Sequence, residues 1–149
     1  MSDDLLKLEN QICFPLYALS REVIKLYKPL LEPFNLTYTQ YITLMVMWEH
    51  PQINFKTLGQ ILHLDSGTLT PVIKKLEEKA YVSKHRTKED DRVVMVVLAP
   101  AGRDLKDEIK SVPQALSCLL EGNEETLTTL KKALDTLLKE TNQWGNSPK

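Results

Sequence analysis

The side chains of this 149-residue chain that can do chemistry are two thiols, a run of short hydroxyls and a cluster of basic residues. Cys13 and Cys118 are too far apart for a Cys-x-x-Cys metal or redox motif, and two cysteines are too few for a secreted disulfide scaffold. They are expected as reduced thiols in a cytoplasmic protein. Taken alone, each has two readings: a small buried hydrophobe, or a thiolate that acts as a nucleophile. His50, His63 and His85 are scattered, without a close carboxylate or cysteine, so surface or packing roles are expected and no metal site. No nucleophile–base motif and no glycine-rich phosphate loop is present, which argues against an enzyme and implies no cofactor.

The hydroxyls and basic residues lie close together. Ser66, Thr68 and Thr70 precede Lys74 and Lys75, and Lys84, Arg86, Lys88 and Arg92 follow. From Lys74 to Arg92 there are seven basic and five acidic residues, although the whole chain carries a formal charge of −1. That balance excludes a protein coated with basic residues and leaves room for a local basic face. The segment reads either as a solvated charged helix and hairpin or as a surface that neutralises phosphates.

These side chains must be positioned by a fold, and the composition permits one: 42% of residues are hydrophobic and only 5 are glycine. The length suits one domain over residues 1–149. No apolar run approaches the length of a membrane span, and the acidic start is no signal peptide, so no membrane partner is expected. Leu8, Ile12, Leu16, Leu19, Val23, Leu26 and Leu30 alternate gaps of four and three, the seam of a helix facing another long helix. Pro15 is expected to interrupt it and Pro29 and Pro33 to close it. A second helix opens at Thr37 and stops before Pro51; a third, short one is capped by Asn54; a fourth is capped by Asp65 or Ser66, with Leu69, Val72, Ile73 and Leu76 as its buried stripe. Tyr81–Arg86 and Val93–Leu98 read as a hairpin with a charged tip. A helix from Pro100 is expected to bend or restart at Pro113, and a last one to follow Gly122 and run to about residue 141, with a frayed tail from Asn142.

This order is that of a winged helix-turn-helix: a mainly α (α+β) fold of about six helices with a two-stranded β-wing, its reading lobe at about residues 36–99. The second helix of such a pair offers its first turns to base edges in the major groove. Ser66, Thr68 and Thr70 suit that place, with Lys74, Lys75, Arg86 and Lys88 on phosphates and Arg92 entering the minor groove. Asp90 or Asp91 is placed to orient Arg92 by a wing salt bridge.

Leu64-Asp65-Ser66-Gly67-Thr68-Leu69-Thr70-Pro71, with Lys74-Lys75-Leu76-Glu77 and the wing Glu89-Asp90-Asp91-Arg92, resembles the MarR family of bacterial transcription regulators. Leu8 to Phe14, Tyr17, Tyr27 and Leu36-Thr37-Tyr38 resemble its organic-hydroperoxide-resistance branch. The resemblance covers nearly the whole chain. It implies an obligate homodimer, joined through helices at about 5–34 and 100–141, that binds a pseudo-palindromic double-stranded operator. It also implies a redox-active cysteine at Cys13, with Tyr27 and Tyr38 hydrogen-bonding to it across the dimer and so stabilising the thiolate. In a two-cysteine subgroup a late-helix cysteine, here Cys118, resolves the partner's oxidised cysteine. The implied function is a redox-sensing regulator, in the sense of a repressor, released from DNA by an organic hydroperoxide through an intersubunit Cys13–Cys118 disulfide. Two alternatives stay open: a MarR-type repressor released by a small ligand, and a one-cysteine sensor capped by a small thiol.

Overall fold

The computed structural model describes residues 3–144. Two compact units are distinguished, residues 1–113 and 114–149. Before the first α-helix the chain makes two short 3-10 turns, Asp3–Leu6 and Leu8–Asn10. Then follow α1 (Cys13–Leu31), α2 (Tyr38–Glu49), β1 (Gln52–Asn54), α3 (Phe55–Leu62), α4 (Ser66–Glu78), β2 (Val82–Arg86), β3 (Val94–Leu98), α5 (Pro100–Glu108), α6 (Ser111–Leu119) and α7 (Glu124–Trp144).

Local chemistry sets the helix starts. At α2 the Thr37 hydroxyl accepts from the Gln40 N–H at 3.3 Å, while the Gln40 side-chain oxygen accepts from the Thr37 N–H at 3.2 Å, a reciprocal capping box. Asn54 caps α3 by accepting from the Lys56 N–H at 2.8 Å. Asp65 caps α4 by accepting from the Thr68 N–H at 2.8 Å, which settles the choice between Asp65 and Ser66. Between α3 and α4, His63 ends α3 in the left-handed region at φ 53°. Gly59 allows the close approach of that turn, since a Cβ there would lie 2.9 Å from the Leu64 carbonyl oxygen.

The three strands form one antiparallel sheet in the order β1-β3-β2, with Ile53 opposite Val96 and Val82 opposite Leu98. The expected two-stranded wing thus gains a third strand. Three residues are too few to show an alternating pattern, and β1 is defined only by its pairing with Met95, Val96 and Val97. The core of this unit is built on Leu44 and Met47 of α2, Leu58 of α3, Leu69, Ile73 and Leu76 of α4, and Val96 of β3, all fully buried. Trp48 crosses to α5, where its indole N–H donates to the Gly102 carbonyl at 2.9 Å.

Prolines account for most differences from expectation. α1 starts at Cys13 rather than Leu8, and Pro15 sits in its first turn, where its missing N–H costs nothing. Pro29 lies inside α1 instead of closing it, giving up one hydrogen bond near the end of the helix. The helix from Pro100 breaks at Ile109 and Lys110, ahead of Pro113, which again falls in a first turn. That break gives seven α-helices among the described residues instead of about six. α7 continues through Asn142 to Trp144, so the fraying expected from Asn142 is absent there, and the rest of that expectation lies outside the described residues.

Two long helices keep apolar stripes uncovered by their own units. In α1 only Leu31 is buried, while Leu16, Tyr17 and Leu19 are exposed and Ile12 just before the helix is 83% exposed. In α7, Leu127, Leu130 and Leu134 are half-buried and Leu137 and Leu138 exposed. Among the described residues no helix is long and apolar enough to cross a membrane.

Candidate nucleic-acid interface and thiol site

α4 buries Leu69, Val72, Ile73 and Leu76, and this turns its other face outward with Ser66, Thr68, Thr70, Lys74 and Lys75 exposed. The Thr70 hydroxyl donates back to the Ser66 carbonyl at 2.6 Å, so its lone pairs and methyl point outward for use. Lys75 pairs with Glu78 at 3.0 Å, whereas Lys74 has no ion partner among the described residues. The Thr68 N–H, aided by its hydroxyl, holds the Asp65 carboxyl below the usual carboxylate range, so the cap stays ionised.

The wing tip is tied by its own polar groups. The Thr87 hydroxyl donates to the Asp90 carbonyl at 2.6 Å and accepts from the Asp90 N–H at 3.2 Å. Asp90 grips Arg92 through two oxygens, at 3.1 Å from Nε and 3.2 Å from Nη2, and accepts from the Arg92 N–H at 3.0 Å. These bonds hold the Asp90 carboxyl low, while the Arg92 side chain remains 88% exposed. The wing salt bridge is therefore Asp90's. Asp91, named with it in the sequence reading, contributes its backbone carbonyl, which accepts from Arg86 at 2.6 Å. Lys88 stands exposed at the tip, and Lys84 reaches only to Glu77 at 4.0 Å.

Both thiols are free and exposed, Cys13 as the first residue of α1 and Cys118 near the end of α6. Tyr27 lies at the far end of α1, its ring 4.8 Å from that of Tyr38 and 5.8 Å from that of Tyr41. Burial, then the neighbouring Tyr38 and Tyr41, push the Tyr27 phenol up to about 12, and burial raises Tyr38 also. Both therefore stay protonated, as hydrogen-bond donors, at neutral pH. Cys13 and Tyr27 are separated by about 21 Å of helix at 1.5 Å per residue, so the tyrosines cannot serve the thiol of their own chain. A groove of about 690 Å³ opens beside them, lined by Ile24, Leu36, Lys28 and Lys79 as well. Tyr17, part of the resemblance, is exposed beneath the Arg21 guanidinium, 5.6 Å from its ring centre. No group of three or more histidine, cysteine or carboxylate side chains suited to a metal occurs among the described residues.

Sequence reading missed Gln40 and Lys79. Thr37 followed three residues later by glutamine is the legible signal for Gln40. Lys79 reads as one more surface lysine, and its contacts come from residues about forty positions earlier.

A polar helix face beside a tied basic wing is the build of a winged-helix, MarR-type transcriptional regulator. The chain belongs to the SarA/Rot family of transcriptional regulators, whose pattern it matches over residues 25–109. It is 45% identical, over 94% of its length and 95% of the relative's, to the organic hydroperoxide resistance transcriptional regulator of Bacillus subtilis strain 168. Among solved structures it is similar to AbfR of Staphylococcus epidermidis. Overoxidised AbfR bound to DNA aligns at TM-score 0.74 and 31% identity, covering 92% of this chain and 99% of that one. Reduced AbfR bound to DNA gives 0.73 and 30%, over 93% and 99%. The disulfide-formed state gives 0.64 and 32%, over 89% and 96%.

Proposed function

We propose that this protein is a cytoplasmic, redox-switched repressor that works as a homodimer. The observation that carries the reading is the exposed Cys13 thiol at the start of a helix whose apolar face is uncovered, with two protonated tyrosines about 21 Å away along that same helix. A second copy seated on α1 covers the face and brings one subunit's Cys13 toward the other's Tyr27 and Tyr38. The unpaired N–H groups at the start of α1 and the phenol donors both favour a negative sulfur.

Reduced dimer binds operator DNA, α4 of each subunit in the major groove of a half-site. Ser66, Thr68 and Thr70 meet base edges; Lys74, Lys75, Arg86 and Lys88 meet phosphates; Arg92, aimed by Asp90, enters the minor groove. The Cys13 thiolate attacks an organic hydroperoxide, the O–O bond breaks, an alcohol leaves after taking up a proton, and Cys13 becomes a sulfenic acid. Cys118 of the partner subunit then displaces water from that sulfur to give a disulfide. The bond requires Cα atoms within about 7 Å, so closing it moves helices and takes the two α4 copies out of register with their half-sites. AbfR is bound to DNA in both its reduced and its overoxidised solved structures, and it also forms a disulfide, which supports a thiol-based switch.

Cumene hydroperoxide is expected to give a dimer band on a non-reducing gel that is absent in both Cys13→Ser and Cys118→Ser. A band that persists as monomer in the wild type, with added small-thiol mass, removes the resolving role of Cys118.

A further inference from the structure

A lysine with no part in the proposed switch spans the distance from the Tyr27 and Tyr38 groove to α4. Lys79 is the residue that ends α4, its N–H still bonded to the Lys75 carbonyl at 3.2 Å. Ala80 follows at φ 60°, and the Tyr81 N–H returns to Leu76 before β2 begins. Lys79 therefore stands where the recognition helix hands over to the wing. Its ammonium leaves this unit of helix and wing and donates to the Asn35 carbonyl and, at 3.1 Å, to the Gln40 side-chain oxygen.

Both acceptors belong to the turn that sets the tyrosines. Asn35, left-handed at φ 51°, closes the turn after α1, and Gln40 is the buried half of the capping box that starts α2. Tyr38 lies between Thr37 and Gln40 as the first residue of α2. The same groove is lined by Tyr27, Tyr38, Gln40 and Lys79, so whatever enters it touches the tyrosines and the lysine together. Neither acceptor is a carboxylate. The nearest acid on α4, Glu78, is taken by Lys75, and burial with the nearby Lys75 charge lowers the Lys79 ammonium from its usual range. An ammonium held by two neutral oxygens is a tie that a small displacement of the turn releases.

We propose that Lys79 is a positioning residue that transmits the state of the tyrosine groove to α4 and the wing through its bonds to Asn35 and Gln40. When Tyr38 moves with the oxidised thiol, the start of α2 shifts, the Gln40 and Asn35 oxygens leave the ammonium, and α4 is freed from the α1–α2 turn. The inference rests on the redox reading above, and the test separates the two.

Lys79→Met keeps the apolar stem and removes the tie at little structural cost. Gln40 retains its bond to the Thr37 N–H, and Asn35 is exposed, so its carbonyl is solvated instead. Operator affinity is measured by fluorescence anisotropy on a duplex selected by the reduced wild-type protein, before and after cumene hydroperoxide. The disulfide is scored on a non-reducing gel and stability by thermal melting. The expectation is that K79M melts as the wild type does and forms the disulfide at the same rate, but binds the operator at least tenfold more weakly already when reduced, so that its oxidised-to-reduced Kd ratio falls at least tenfold below that of the wild type. An unchanged ratio in K79M, or reduced binding equal to that of the wild type, overturns the transmission alone, and so does a loss of melting temperature, which would make Lys79 a structural residue. A wild-type ratio of one overturns the redox reading and the transmission with it.

Discussion

Arg92 illustrates how a single residue is prepared for work. Its guanidinium is held on one edge by both oxygens of Asp90 yet is almost fully exposed, so it is aimed without being used up. Exposed ion pairs contribute little to stability, and its value lies in orientation. Asp90→Asn is accordingly expected to leave the melting temperature unchanged and to weaken operator binding, as Arg92→Ala does more strongly; equal binding by both variants and the wild type would remove the wing from the interface. Lys74, free of any ion partner among the described residues, is a simpler case. Lys74→Ala should weaken binding alike for all sequences and reduce the slope of log affinity against log salt by about 1. The tyrosines are proposed to act on the thiol instead. A hydrogen bond to a charged group is worth about 1.5–3 kcal/mol, so Tyr27→Phe should slow Cys13 oxidation roughly tenfold or more, measured by stopped-flow thiol loss.

At the scale of elements, caps and close approaches carry the arrangement. Asp65 holds the first turn of α4 as a carboxylate, and its ionised form is favoured in the folded state. That contribution is present above the usual carboxylate value of 3.8 and is lost as pH falls through the lowered folded value. Asp65→Asn retains a capping oxygen that does not titrate, so its melting temperature should decline less than the wild type's below pH 4. Gly102 makes the second close approach, because a Cβ there would sit 2.3 Å from the Tyr81 carbonyl oxygen and 2.8 Å from Leu98. The neighbours there are backbone and a packed side chain, and Gly102→Ala should therefore cost about 2 kcal/mol or more in chemical denaturation.

Which elements were legible follows from where their signals lie. α4 with its Leu69, Val72, Ile73 and Leu76 stripe, the caps at Thr37, Asn54 and Asp65, and the hairpin each carry local signals, and each forms as read. β1 and the link from Lys79 to Gln40 depend on partners dozens of residues away, and no local pattern encodes them. Pro15 and Pro113 were read as interruptions, yet both fall in first turns, where the missing N–H has no partner to lose. The residues proposed to face DNA were nameable from the helix–hairpin order and those proposed at the thiol from the family resemblance, whereas the Asp90–Arg92 geometry and the tilted contact of Tyr27 with Tyr38 needed three dimensions.

For the whole molecule, the uncovered faces decide the assembly. α1 and the turns before it expose Leu5, Leu6, Leu8, Ile12, Leu16 and Leu19, more apolar surface than a lone chain keeps in water. With the dimer proposed through this face, Leu16→Glu and Leu19→Glu are expected to be monomeric in sedimentation velocity and to lose operator binding, and variants that stay dimeric would contradict it. A sequence with a formal charge of −1 can still read DNA as proposed because seven of its 19 basic residues fall within the short stretch from Lys74 to Arg92. The central claim is that an intersubunit disulfide, and not oxidation of Cys13 alone, releases the operator. It is tested most directly by the operator Kd of wild type, Cys13→Ser and Cys118→Ser, each reduced and hydroperoxide-treated. The account predicts release only for the wild type, reversed by dithiothreitol, with Cys118→Ser staying on DNA although its Cys13 is oxidised. Release of oxidised Cys118→Ser to the wild-type extent would contradict it.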